Sequence, residues 1–218
     1  MNNINTAERW SENVIIVDGD YIDRVAFDLT VNFERMLERR IPRADMARWL
    51  DCVALDGGLR PVEEAQTAKA ETEDSTATHH PEPATQTTQV IFLHDKRTGK
   101  LENFTPDNYA DDLNGKAFRD ALGEFQLSSY AVEELRSKED HLLDVLELVC
   151  EQAEVKRVMI VPDAETMYEP VRHALRKADE EKHITVFAMQ PMAGGNFRQE
   201  ILGYSLMQAL GIRAEELK

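Results

Sequence analysis

Short, unbroken runs of β-preferring apolar residues recur along the chain, and most lead into stretches whose apolar positions return every three or four residues. A continuous apolar run marks a strand covered on both faces, and the three-to-four spacing marks an amphipathic helix. Val14-Ile15-Ile16-Val17 is the first such strand, and Ile22, Val25, Ala26, Leu29, Phe33, Met36 and Leu37 trace the helix after it. Pro42 separates that helix from a shorter one with Met46, Trp49, Leu50 and Val53, which Gly57-Gly58 ends. Val90-Ile91-Phe92-Leu93 is a second strand, and a polar helical region spans Pro106 to Ala121, with Tyr109, Leu113, Phe118 and Leu122 as its apolar positions. Glu124 to Val132 alternates as a third strand on an edge of the sheet. Ser137, with Asp140 three residues on, opens a helix with the stripe Leu142, Val145, Leu146 and Val149. Val158-Met159-Ile160-Val161 is a fourth strand; the helix with Met167, Val171, Leu175 and Ala178 follows, and its Pro170 fits a first turn only. Ile184 to Met189 is a fifth strand, and a last helix after Gly194-Gly195 carries Phe197, Ile201, Leu202, Leu206, Leu210 and Ile212. Strands alternating with helices predict one three-layer α/β domain over residues 1–218, with about five mostly parallel strands.

Between Pro61 and Gln89 the pattern stops: this stretch has no Ile, Leu, Met or aromatic residue. It cannot bury enough apolar surface to offset its chain entropy, which predicts a disordered insert at 61–89 within the domain. His79-His80, inside it, reads as part of a solvated loop. Charge narrows the range of partners. Forty-one acidic against twenty-five basic residues leave a net charge of −16, which repels phosphate backbones and disfavours a charge-driven grip on nucleic acid. Local basic surface would have to come from Arg35, Arg39, Arg40, Arg43 and Arg48, with Lys96, Arg97 and Lys100, yet Glu34, Glu38 and Asp45 interleave with the first set. Cys52 and Cys150 sit in apolar contexts and match no disulfide or metal spacing. No run approaches the roughly 18 apolar residues of a membrane span, and the first residues have no signal-peptide core. The expectation is a cytoplasmic protein without a membrane partner.

Ligands of a parallel α/β sheet bind outside the carboxyl ends of its strands. Asp18 and Asp20 follow the first strand, His94 and Asp95 the second, and Asp163 and Glu165 the fourth. Carboxylates gathered there would suit Mg²⁺ or Mn²⁺, which take oxygen ligands and can activate water in phosphodiester cleavage. Asp at a strand end is equally a helix N-cap, and Asp-Gly is common turn chemistry, so both readings stand for Asp18-Gly19-Asp20 and for Asp163. Asp140, Asp144, Glu147 and Glu151 recur at i, i+4, i+7 and i+11, which puts them on one helix stripe and reads first as a solvated face. Glycine-rich phosphate loops and a Gly-x-Ser-x-Gly elbow are missing, which argues against nucleotide and serine-hydrolase chemistry.

Three of these features together resemble the NYN branch of the PIN-like nucleases. Asp18-Gly19-Asp20 after a buried strand is similar to that family's Asp-Gly-Asp-Asn turn, and Lys138 with Asp140 and Asp144 to its central helix. Val161-Pro162-Asp163-Ala164-Glu165 stands where the family has Ser-Gly-Asp-x-Asp. The resemblance implies a PIN/NYN-like, Rossmann-like fold and an Mg²⁺- or Mn²⁺-dependent ribonuclease, with catalytic Asp18, Asp140, Asp144 and Asp163 and metal ligands Asp18, Asp20, Asp140, Asp163 and Glu165. Tyr21 for asparagine, Val161-Pro162 for Ser-Gly, Glu165 for aspartate and a compressed 138–144 depart from the pattern. The chain as a whole also resembles uncharacterised proteins of gut Bacteroidales, which implies no activity. The competing expectation is a catalytically inactive PIN-like scaffold that works through a protein partner or a homodimer.

Overall fold

The computed structural model describes residues 9–62, 86–133 and 137–217. In chain order the elements are β1 (Asn13–Asp18), α1 (Gly19–Leu37), β2 (Ala44–Asp45), α2 (Met46–Asp56), β3 (Thr87–Asp95) and β4 (Phe104–Thr105). A π-helical turn (Tyr109–Leu113), β5 (Lys116–Asp120), β6 (Gly123–Val132), α3 (Lys138–Glu151) and β7 (Arg157–Val161) come next. The chain then forms α4 (Ala164–Ala174), β8 (His183–Ala188), β9 (Arg198–Ile201) and α5 (Leu202–Ala209). Seven strands make one sheet in the order β5-β6-β3-β1-β7-β8-β9; β2 and β4 pair separately. All neighbours in the large sheet are parallel except β5, which runs antiparallel to β6.

β1 lies between β3 and β7, and every residue of it is buried. Alternation along the strand sorts its side chains between two cores. Ile15 and Val17 join Phe92, Met159 and Val161 beneath α1, α2 and α5, while Val14 and Ile16 join Leu93, Val158 and Ile160 beneath α3 and α4. The chain leaves β1 through α1 on one face and leaves β7 through α4 on the other. Two adjacent strands whose connections diverge in this way open a crevice at their carboxyl ends, where α/β proteins place ligands. Asp18 and Asp163 stand at that crevice.

Several expectations need correction. The sheet has seven strands, not about five. Lys116–Asp120 is a strand rather than part of a helix: the π-helical turn ends at Asn114-Gly115, with Gly115 at φ +69°, and the chain reverses onto β6. Phe118 sits opposite Phe125 and stacks on it at 4.8 Å, so its apolar side chain serves a cross-strand pair. Consequently β6 is an interior strand, with β5 outside it. Arg198–Ile201, expected within the last helix, adds the edge strand β9, and α5 starts only at Leu202. Pro170 is the seventh residue of α4 and not in its first turn. The strand around Val90 begins at Thr87, so Thr87, Thr88 and Gln89 belong to the sheet rather than to an insert; Thr88 is fully buried. Residues 63–85, with His79-His80, lie outside the described residues. Among the described residues no helix is long and apolar enough to cross a membrane.

Candidate functional site at the carboxyl edge of the sheet

Asp18 does two things at the end of β1. One oxygen caps α1 by accepting the Tyr21 amide at 3.0 Å, satisfying one of the donors a helix start leaves free. That same Oδ1 also lies 2.6 Å from Nζ of Lys138, the first residue of α3, whose ammonium reaches Oδ2 of Asp20 at 2.9 Å. The capping reading of Asp18 is therefore realised, and the same carboxylate also meets a cation of its own chain. Only 4% of the Asp18 side chain and 20% of the Lys138 side chain meet solvent, so this ion pair is largely desolvated. Burial alone would lower the Lys138 pKa, but Asp18 and Asp20 together outweigh it, and the ammonium is held above its ordinary value. Burial raises the Asp18 carboxyl against the pull of Lys138. Asp20 Oδ2 also accepts the Asp95 amide at 2.9 Å, while its Oδ1 is buried without a partner.

Gly19 is needed here for space. A Cβ on it would stand 2.1 Å from the Tyr109 hydroxyl oxygen, so the Tyr109 ring packs directly on the Gly19 backbone. Tyr109 is buried and stacks flat on His94 at 3.8 Å; its hydroxyl has no partner. His94 Nδ1 lies 3.0 Å from the Asp95 carbonyl, and Asp95 itself is turned to Arg97, which holds its carboxyl down at about 2. A cleft of about 610 Å³ opens beside this group, lined among others by Asp20, Asp95, Arg97, Glu133, Lys138 and Glu139.

The remaining candidates lie apart from this pair. Asp163 caps α4 through the Glu165 amide at 3.1 Å and pairs with Arg24 at 2.8 Å; Glu165 stands 3.7 Å from the same guanidinium. Arg24 lies over the Tyr21 ring at 5.3 Å, within cation–π reach. Asp140 and Asp144 are exposed on α3, where the Asp140 amide is capped by Ser137 Oγ at 3.0 Å. Thus Asp18 and Asp20 converge on Lys138, Asp163 and Glu165 on Arg24, and Asp140 and Asp144 on the solvated face of α3. Among the described residues no group of three or more His, Cys, Asp and Glu is placed to hold a metal ion. The position between Asp18 and Asp20 is held by the Lys138 ammonium. Lys138 was legible only through the resemblance of residues 138–144 to a nuclease central helix. Arg24 was not, because its partner lies 139 residues away and α1 shows many charges of equal promise.

The thiols contribute no nucleophile. Burial pushes the Cys52 thiol up and that of Cys150 to about 11, the reverse of an activated cysteine. On the opposite helical layer, exposed Phe27, Val31 and Met36 of α1, Leu55 of α2 and Tyr204 of α5 interrupt an otherwise polar surface. Leu55 and Tyr204 border a groove of about 460 Å³ with Cys52, Met207, Ile212 and Leu217.

Residues 7–217 match the model of a family described as a family of unknown function, DUF6621. Neither a curated protein nor a solved structure matches the chain.

Proposed function

The chain belongs to the DUF6621 family, and from that premise we propose that it is a PIN/NYN-like α/β scaffold whose strand-end acids are closed by its own cations and which works through protein contacts. The observation that carries this reading is Lys138 Nζ at 2.6 Å from Asp18 and 2.9 Å from Asp20. Arg24 on Asp163 repeats the arrangement across the crevice. Such pairs replace a metal electrostatically without supplying a Lewis acid or a bound water. The net charge of −16 adds to the case against nucleic acid, and the exposed apolar residues of α1, α2 and α5 offer contact surface for a partner protein or a second copy.

A second reading, the Mg²⁺- or Mn²⁺-dependent ribonuclease, is favoured by one observation: Asp20 Oδ1, buried without a partner beside an open cleft. Calorimetric titration of the wild type with Mn²⁺, followed by incubation of the same sample with single-stranded RNA, separates the two. The scaffold reading expects no carboxylate-dependent binding and no cleavage. Mn²⁺ binding that Asp18→Asn abolishes, together with RNA cleavage, overturns it in favour of the nuclease.

A further inference from the structure

A pair of carboxyl groups far from the strand-end site meets in a way that two carboxylates cannot. The Asp51 carboxyl, on α2, lies against that of Asp120, the last residue of β5. Asp120 Oδ1 is committed to the Leu122 amide at 2.7 Å. Its Oδ2 and the Asp51 Oδ1 are both buried, and neither accepts a hydrogen bond from any donor among the described residues. Two ionised carboxylates are acceptors only, so these buried oxygens can satisfy each other only if one of the two groups carries a proton.

We propose that Asp51 and Asp120 share a single proton and form a proton-dependent latch that joins α2 to the β5–β6 turn. This is independent of the strand-end reading. The surrounding charges favour retention of the proton. The charges acting on Asp51 are Asp120 across the contact and Asp45 at the N-cap of its own helix, both negative. The neighbouring arginines are committed elsewhere: Arg48 to Gln208 at 3.2 Å and Arg119 to Glu124 at 2.8 Å. Cys52, next on α2, is a thiol that burial keeps protonated. Burial and these negative neighbours push the Asp51 carboxyl up to about 7. Like charges sharing one site cannot both ionise without repulsion, so the second ionisation is deferred to neutral pH.

The position gives the latch something to control. Asp120 precedes the turn that returns β5, the antiparallel edge of the sheet, onto β6. The same turn accepts the Val62 amide at Ala121 and the Gln86 side chain at Leu122, at 3.0 and 2.6 Å. With the proton in place, α2, the turn and the start of β3 are tied at one corner. When it leaves, two carboxylates face each other and the corner loosens, while the two cores away from it are untouched.

Carboxyl ¹³C titration of the full chain tests the proton directly, and amide hydrogen exchange at about pH 6 and about pH 8.5, corrected for intrinsic rate, tests the latch. One of the two carboxyls is expected to titrate near 7, against an ordinary aspartate value of 3.8, and amide protection in β5 and its turn to fall at the higher pH. In Asp120→Asn the amide donates permanently. Asp51 should then titrate well below its wild-type value and the pH dependence of protection should vanish. Should that variant fail to fold, Asp51→Asn makes the same replacement from the other side. Two carboxyls titrating near 3.8 in the wild type overturn the proposal. So does a raised carboxyl without any pH-dependent change in protection.

Discussion

Lys138 and Asp51 show how a single side chain takes its meaning from groups distant in the chain. Lys138 stands 120 residues after Asp18, yet its ammonium closes a cluster that the local spelling Asp-Gly-Asp announces only as a turn or cap. Asp51 looks like any exposed acid of an amphipathic helix until Asp120 is brought against it. The consequence for stability has a definite sign. Folding raises the Asp51 carboxyl from 3.8 to about 7, so the folded state binds the proton more tightly than the unfolded chain. The associated stability is fully present below pH 3.8 and is lost as pH rises through about 7. Urea unfolding of the wild type and of Asp51→Asn across this window should show a difference in stability that changes monotonically with pH. A constant difference between the two proteins would contradict the assignment.

Among the elements, the buried central strands and the longer helices were legible, because an apolar run such as Val14-Ile15-Ile16-Val17, or a stripe such as Leu142, Val145, Leu146 and Val149, meets the core as read. The short edge strands were not. β5 is five residues and β9 four, too brief for a two-residue period to stand out, and each exists because a longer strand offers it a free edge. The β5–β6 turn also depends on one residue without a side chain. Gly123 has φ +111°, and a Cβ there would meet the Gln86 carbonyl oxygen at 2.1 Å. Gly123→Ala combines an unfavourable backbone region with a clash against backbone. It should cost about 1–3 kcal/mol in chemical unfolding, with exchange rising first in β5 and its turn. Gly115→Ala, also at positive φ (+69°) but with open space around its Cβ position, should cost less. Equal losses in the two variants would argue against the contact with Gln86.

On the scale of the whole molecule, excess acid is the dominant electrostatic fact. A net charge of −16 stores self-repulsion that the local pairs around Lys138 and Arg24 relieve at only a few points. Raising NaCl from about 20 mM to about 500 mM shortens the screening length from about 20 Å to about 4 Å. The melting temperature should therefore rise with salt near neutral pH; a fall would mean that ion pairs outweigh the repulsion. The sequence by itself determined the α/β class, the central parallel strands, the helical stripes and the strand-end position of Asp18 and Asp163. Each of these follows from local periodicity and from where apolar runs end. Only the tertiary structure decided strand order, the edge strands, which cation meets which acid, and the Asp51–Asp120 contact. Those depend on residues brought together across the fold, and the sequence spacing of an ion pair or a shared proton carries no period to read.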